Sequence, residues 1–205
     1  MFSDRTAAGA RLADELEATG VAADIVVAIP RGGLPAGRMV ADRLGAPLAV
    51  VVASKIGAPS DPEYALGAVA EDGSVWLNDE ALDRTGISDD SLASEHERER
   101  QVAAEKAATY RDGARPDFGD KRVVVADDGV ATGATMRACL RLVREDDPEY
   151  LVAAVPVGPP DTLDTLERYA DEVIAVERPR NFRAVGAHYR NFDQVSDEKA
   201  MSYLA

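Results

Sequence analysis

The sequence predicts an α/β protein built on a mostly parallel five-stranded sheet flanked by helices. Three observations lead there. Short runs rich in Val, Ile, Leu and Ala recur at 24–29, 48–53, 123–126, 150–155 and 172–176, and runs without polar alternation suit strands covered on both faces. Several intervening segments carry apolar residues at three- and four-residue spacing, the mark of amphipathic helices. Two of the strands run into glycine-containing turns that lead directly into a helix.

In chain order, Ser3 or Asp4 can cap a first helix with Ala8, Leu12 and Leu16 on its apolar side, and Gly20 ends it. Strand 24–29 leads through Pro30-Arg31-Gly32-Gly33 to a helix opening at Leu34-Pro35, where proline suits the first turn. Ala36, Met39, Val40 and Leu44 form that helix's apolar side. Strand 48–53 follows, with Lys55 just past its end. Residues 57–64, Gly-Ala-Pro-Ser-Asp-Pro-Glu-Tyr, are dense in turn formers and predict a mobile loop at the carboxyl edge of the sheet.

Residues 67–70 and 75–77 straddle Glu71-Asp72-Gly73-Ser74, a hairpin signature, with Trp76 as a packing residue. Asn78 or Asp79 starts a short helix. Residues 88–111 read as one long helix with Val102, Ala103, Ala107 and Tyr110 inward and a solvated charged face that includes His96. After Pro116 and Gly119 comes strand 123–126, then a helix with Met136, Cys139, Leu140 and Val143 on one face and Arg137, Arg141 and Arg144 on another. A strand at 150–155, a helix at 161–169 and a strand at 172–176 complete the regular pattern.

Chemistry concentrates at the end of strand 123–126. Asp127-Asp128 precedes Gly129-Val130-Ala131-Thr132-Gly133-Ala134-Thr135, which opens a helix. Unpaired N–H groups and the dipole at a helix start favour a phosphate, and Thr132 and Thr135 can add hydroxyl donors. Two carboxylates beside that cradle can accept hydrogen bonds from vicinal sugar hydroxyls, or hold Mg²⁺ through water. The loop is neither a P-loop nor a dinucleotide fingerprint, since no Gly-Lys-Ser/Thr and no G-x-G-x-x-G is present. The turn at Arg31, Gly32 and Gly33 is a second strand–loop–helix corner. Its arginine can grip phosphate oxygens as a fork, or simply sit exposed in a tight turn.

Lys and Arg number 23 against 37 Asp and Glu in 205 residues, a formal charge of −14. So acidic a chain repels nucleic acid and anionic membranes, and neither is expected as a partner. Only Lys55, Lys106, Lys121 and Lys199 are lysines, so cations for an anionic ligand must be concentrated at its site. Cys139 is the single cysteine, which excludes an internal disulfide, and its helical face places it in the core. No apolar run reaches transmembrane length and no basic-then-apolar leader opens the chain, so a cytoplasmic location is expected.

The stretch from Asp127 to Thr135 resembles the phosphoribosyl pyrophosphate (PRPP) motif of type I phosphoribosyltransferases, and the similarity runs from about Ile25 to Phe192. It implies the type I phosphoribosyltransferase fold as a single domain, 1–205, with a small hood from about 66–78 and 178–205. It implies that Asp127 and Asp128 contact the ribose, touching Mg²⁺ only through ribose or water, while Gly129 to Thr135 hold the 5′-phosphate. Arg31, Gly32 and Gly33 would bind pyrophosphate, with a non-proline cis peptide at Pro30–Arg31 and Lys55 as a further pyrophosphate contact. Loop 57–64 would close over PRPP, bringing Glu63, the candidate general base, and Tyr64.

In the segment after Arg178, the resemblance makes Phe182 a stacking partner for a base and Val185 a source of backbone contacts. The same residues read equally as a C-terminal β-hairpin packed by its aromatics. Members that act on 6-oxopurines carry an Asp where Ala131 stands, a Lys in the region of Val155-Pro156-Val157-Gly158, and an Asp where Arg190 or Asn191 stands. The acceptor is therefore left open. The implied reaction transfers ribose 5-phosphate from PRPP to a nitrogenous small molecule and releases pyrophosphate, with a homodimer left open. The alternative is a PRPP-binding regulator without catalysis. A hydrolase or phosphatase is disfavoured, because no Asp-x-Asp, Gly-x-Ser-x-Gly or reactive cysteine setting is present.

Overall fold

The computed structural model describes residues 1–59, 61–111 and 113–205, with Pro62 and Glu63 described by their backbone alone. Helix α1 (Arg5–Ala18) is capped by Asp4, whose Oδ1 accepts from the Ala7 N–H at 2.8 Å. Next come β1 (Ile25–Ala28), α2 (Gly33–Leu44) and β2 (Leu48–Val50). Strands β3 (Ala53–Ala58), β4 (Asp61–Ala70) and β5 (Val75–Leu77) follow. Asn78 caps the short α3 (Asp79–Thr85), and Ser88 caps the long α4 (Asp89–Tyr110). The rest of the chain supplies β6 (Arg122–Ala126), α5 (Ala134–Arg144), β7 (Tyr150–Val157), α6 (Pro160–Leu166), β8 (Glu172–Glu177) and α7 (Asp197–Met201). Among the described residues, no helix is long and apolar enough to cross a membrane.

The main sheet is five-stranded and parallel, in the order β2-β1-β6-β7-β8. Alternate residues of β6 feed opposite faces. Val123 and Val125 join Met136, Cys139 and Leu140 of α5, whereas Val124 and Ala126 join Leu12, Leu16 and Val40 from α1 and α2. The chain leaves β1 for β2 on one side and later returns with β6 on the other. The loops after β1 and β6 therefore diverge around a crevice at the carboxyl edge, where open α/β sheets place ligands. A smaller antiparallel sheet, β3-β4-β5, packs against α4 and α5.

The apolar run at 48–53 is divided between two sheets. The Val51 N–H still reaches the Ala28 carbonyl at 3.3 Å, and from Ala53 the chain pairs with β4 instead. Lys55 consequently lies inside β3, opposite Ala68, and not past a strand end. Much of the expected 57–64 loop is also strand. Gly57 pairs with Ala65 and Ala58 with Asp61; Ser60 and the side chains of Pro62 and Glu63 lie outside the described residues. Tyr64 packs with Ile56 and Leu66.

The C-terminal β-hairpin alternative does not form among the described residues. Residues 178–205 contribute a 3-10 turn at Val185–His188, the short α7 and one isolated bridge between Phe2 and Tyr189. Arg137, expected on the polar face of its helix, is buried, and its guanidinium lies 4.5 Å from the Trp76 ring centroid. A short-range helical pattern carries no information about the β5 strand that covers this position.

Helices α1 and α2 touch at Gly9, where a Cβ would come 2.5 Å from the Ala36 Cα. Alanine there would add up to about 1 kcal/mol of helix propensity, but overpacking against backbone costs about 1–3 kcal/mol. Gly9→Ala should lower the melting temperature by about 2–4 °C, measured by circular dichroism. A higher melting temperature would show that the two helices can separate without cost.

Candidate active site

Two strand–loop–helix corners meet at the switch point. After β1, the Ile29 N–H donates to the Ala126 carbonyl at 3.0 Å, the Pro30–Arg31 peptide is cis, and the Gly33 N–H returns to the Ile29 carbonyl at 3.0 Å. This turn is seated on the acidic pair. A Cβ on Gly32 would fall 2.3 Å from Asp128 Oδ2, and one on Gly33 would fall 3.0 Å from Asp127 Oδ1. Side chains at these two positions would displace the carboxylates.

At the end of β6, the Asp128 N–H donates to Asp127 Oδ1 at 2.8 Å. Arg5 Nε donates to Asp128 Oδ2 at 2.6 Å, with each side chain 12% exposed. The Tyr189 hydroxyl donates to the Asp128 carbonyl at 2.5 Å. Burial, then the neighbouring Asp128 charge, pushes the Asp127 carboxyl well above the usual carboxylate range. Burial also raises Asp128, against the opposing pull of Arg5.

The loop from Gly129 to Gly133 is tied back by its carbonyls. Thr162 Oγ1 donates to the Ala131 carbonyl at 2.8 Å, and Arg137 donates to the Thr132 carbonyl at 2.8 Å and to Thr165 Oγ1 at 2.6 Å. Gly133 has φ +74°, which turns the chain into α5. With those acceptors held by the scaffold, the loop opens onto the N–H groups of the first turn of α5, which have no intrahelical partner.

A cleft of about 410 Å³ is lined by Arg31, Gly32, Lys55, Asp127, Asp128 and Thr135, among others. A second, of about 250 Å³, runs along residues 129–135 and shares Lys55, Asp127 and Thr135 with the first. The predicted groups Arg31, Gly32, Lys55, Asp127, Asp128 and Gly129 to Thr135 are thus assembled around two adjoining clefts. Gly33 lies against the acidic pair. Val185 lines the second cleft. Phe182 lines neither, and its ring stacks on His188 at 5.3 Å and 15°.

The Glu63 side chain lies outside the described residues. Arg5 and Lys106 also line the first cleft and Tyr189 holds the Asp128 carbonyl, three residues that sequence patterns do not single out. One faint signal exists for Arg5, since a cation in the first turn opposes the helix dipole.

Among the described residues, no cluster of three or more His, Cys, Asp or Glu side chains is arranged to hold a metal. The donor set at the cleft is two carboxylates, one of them already bonded to Arg5. That set suits a hydrated Mg²⁺ held mainly by the oxygens of a bound ligand, not a cage of side chains.

The raised Asp127 carboxyl makes its own contribution to the pH dependence of stability. Below the ordinary value near 4, Asp127 is protonated in both folded and unfolded chains. As pH rises above it, the unfolded chain releases that proton first, so this residue's contribution to stability falls until the folded value is passed. Asp127→Asn should therefore raise the melting temperature at about pH 7 by about 3 °C or more, with the gain shrinking as pH falls toward about 4. An equal gain at both pH values, by scanning calorimetry, would contradict this assignment.

Comparison with known proteins places this geometry in a family. A family model described as a phosphoribosyl transferase domain matches residues 3–190. A Mycobacterium tuberculosis (strain H37Rv) protein with the provisional description phosphoribosyl transferase is 38% identical over the whole chain. The chain spans 46% of that relative's length. The crystal structure of TT1426 from Thermus thermophilus superposes with TM-score 0.82 at 42% identity, covering 100% of this chain and 97% of that one. A purine phosphoribosyltransferase from Pyrococcus horikoshii shares the fold at TM-score 0.50 and 17% identity, with 92% and 90% of the two chains covered. The chain belongs to the phosphoribosyl transferase family.

Proposed function

We propose that this chain transfers ribose 5-phosphate from PRPP to a nitrogenous small-molecule acceptor and releases pyrophosphate. The observation that carries the proposal is the seating of the Gly32-Gly33 turn on Asp127 and Asp128. It joins a turn suited to pyrophosphate, a pair suited to a sugar diol and a helix start suited to a phosphate in one continuous crevice.

In this reading the first turn of α5 and the hydroxyls of Thr132 and Thr135 hold the 5′-phosphate. Asp127 and Asp128 accept hydrogen bonds from the ribose hydroxyls and fix the ring. Arg31 and Lys55 face the departing pyrophosphate, where stabilising developing charge lowers the barrier most. Arg31 contacts Asp197 at 3.5 Å, and both side chains are more than one-third exposed. An exposed pair is held weakly, so the guanidinium can exchange that carboxylate for a phosphate. Asp127 and Asp128 would hold a hydrated Mg²⁺ indirectly, through ribose or water, and the ion would supply further neutralisation of the leaving group. The acceptor enters beside Val185, which packs so closely on the loop that a Cβ on Gly129 would lie 2.7 Å from Val185 Cγ1.

The test is Mg²⁺-dependent pyrophosphate release from PRPP across purines, pyrimidines and other nitrogen acceptors. One acceptor should stimulate release, and Asp127→Asn/Asp128→Asn should cut turnover about 100-fold or more in a folded protein. PRPP binding without acceptor-stimulated release across a broad panel would remove the transfer step from the proposal. No PRPP binding at all would remove the site.

A further inference from the structure

Arg5 opens α1, 123 residues before the carboxylate it meets. Two segments far apart in sequence surround its guanidinium. Asp128 Oδ2 accepts from Nε at 2.6 Å, the Asp193 carbonyl accepts from a terminal nitrogen at 2.7 Å, and the Phe192 ring lies 3.7 Å away beneath the plane. Phe192 in turn packs at 4.9 Å on Tyr189, whose hydroxyl holds the Asp128 carbonyl. Asp128 is therefore gripped at its side chain from α1 and at its backbone from the C-terminal segment.

The charges explain why such a grip is needed. Asp127 lies beside Asp128, and Tyr189 faces it from the C-terminal segment. Arg31, Lys55 and Lys106 line the same cleft. Among the described residues, Arg5 is the cation hydrogen-bonded to the carboxylate. Two adjacent carboxylates repel, and Arg5 fixes where the Asp128 oxygens point. An oxygen aimed at the cleft is the acceptor that a sugar diol needs.

We propose that Arg5 is the positioning residue of the acidic pair, holding Asp128 with its carboxylate aimed at the cleft so that it accepts the hydrogen bonds of the ribose diol. The proposal rests on reading the cleft as a PRPP site. It adds a requirement from the opposite end of the chain, since neither the strand nor the loop that carries the acidic pair supplies this cation.

The experiment titrates PRPP with Mg²⁺, and separately pyrophosphate with Mg²⁺, into wild type, Arg5→Met, Arg5→Gln and Phe192→Leu by calorimetry near pH 7. Pyrophosphate carries no ribose, so its binding does not read the diol contacts. Both Arg5 variants should bind PRPP about tenfold more weakly and pyrophosphate as wild type does. Phe192→Leu removes the ring and keeps the ion pair, so both of its affinities should stay close to those of wild type. Arg5→Gln keeps a hydrogen-bonding group of similar shape and decides the matter if Arg5→Met does not fold.

An equal loss for PRPP and pyrophosphate in the Arg5 variants, or no loss for either with only a lower melting temperature, would overturn the proposal and leave Arg5 a packing residue. A loss confined to PRPP and of the same size in Phe192→Leu would overturn it too. Failure of folded wild type to bind PRPP would instead overturn the site reading on which the proposal stands.

Discussion

Two carboxylates side by side at the end of a buried strand are the constraint around which this molecule is arranged. Asp127 and Asp128 repel each other and lose hydration where they sit. Their surroundings offset that cost in two ways, since Arg5 bonds one carboxylate and the Asp128 N–H bonds the other. Glycines at 32 and 33 let a second loop close on both without intruding. The sheet order explains why the two loops can meet at all, because β1 and β6 are neighbours whose chains depart in opposite directions. A site that holds its acids against their own electrostatic preference trades stability for chemistry.

The same arrangement answers a difficulty posed by composition. A chain of formal charge −14 repels a polyanion at long range. At short range the balance reverses, because Arg5, Arg31, Lys55 and Lys106 all line one cleft. Two of the chain's four lysines are among them. The helix N-terminus of α5 adds fixed donors without adding formal charge.

Much of the fold is legible in the sequence because it is local. The buried strands show as apolar runs, and the α2 and α5 faces show as three- and four-residue spacing. The acidic pair and its small-residue loop are legible because strand, loop and helix start are contiguous. What stays hidden is made by distant partners. The run at 48–53 looks unbroken because Val51 and Val52 are buried between two sheets, and nothing in their apolarity marks where one sheet hands over to the other. Arg137 looks like a surface arginine until Trp76, Thr132 and Thr165 are seen around it. Arg5 and Tyr189 reach Asp128 from 123 and 61 residues away, beyond any local pattern.

The central claim is that loops 30–33 and 127–135 form one PRPP site. It is tested most directly by a crystal structure of the chain soaked with PRPP and Mg²⁺. The account predicts the 5′-phosphate on the first turn of α5, the ribose hydroxyls on Asp127 and Asp128, and the pyrophosphate against Arg31, Gly32 and Gly33. Ligand density elsewhere on the protein, with the crevice between β1 and β6 holding only solvent, would contradict it.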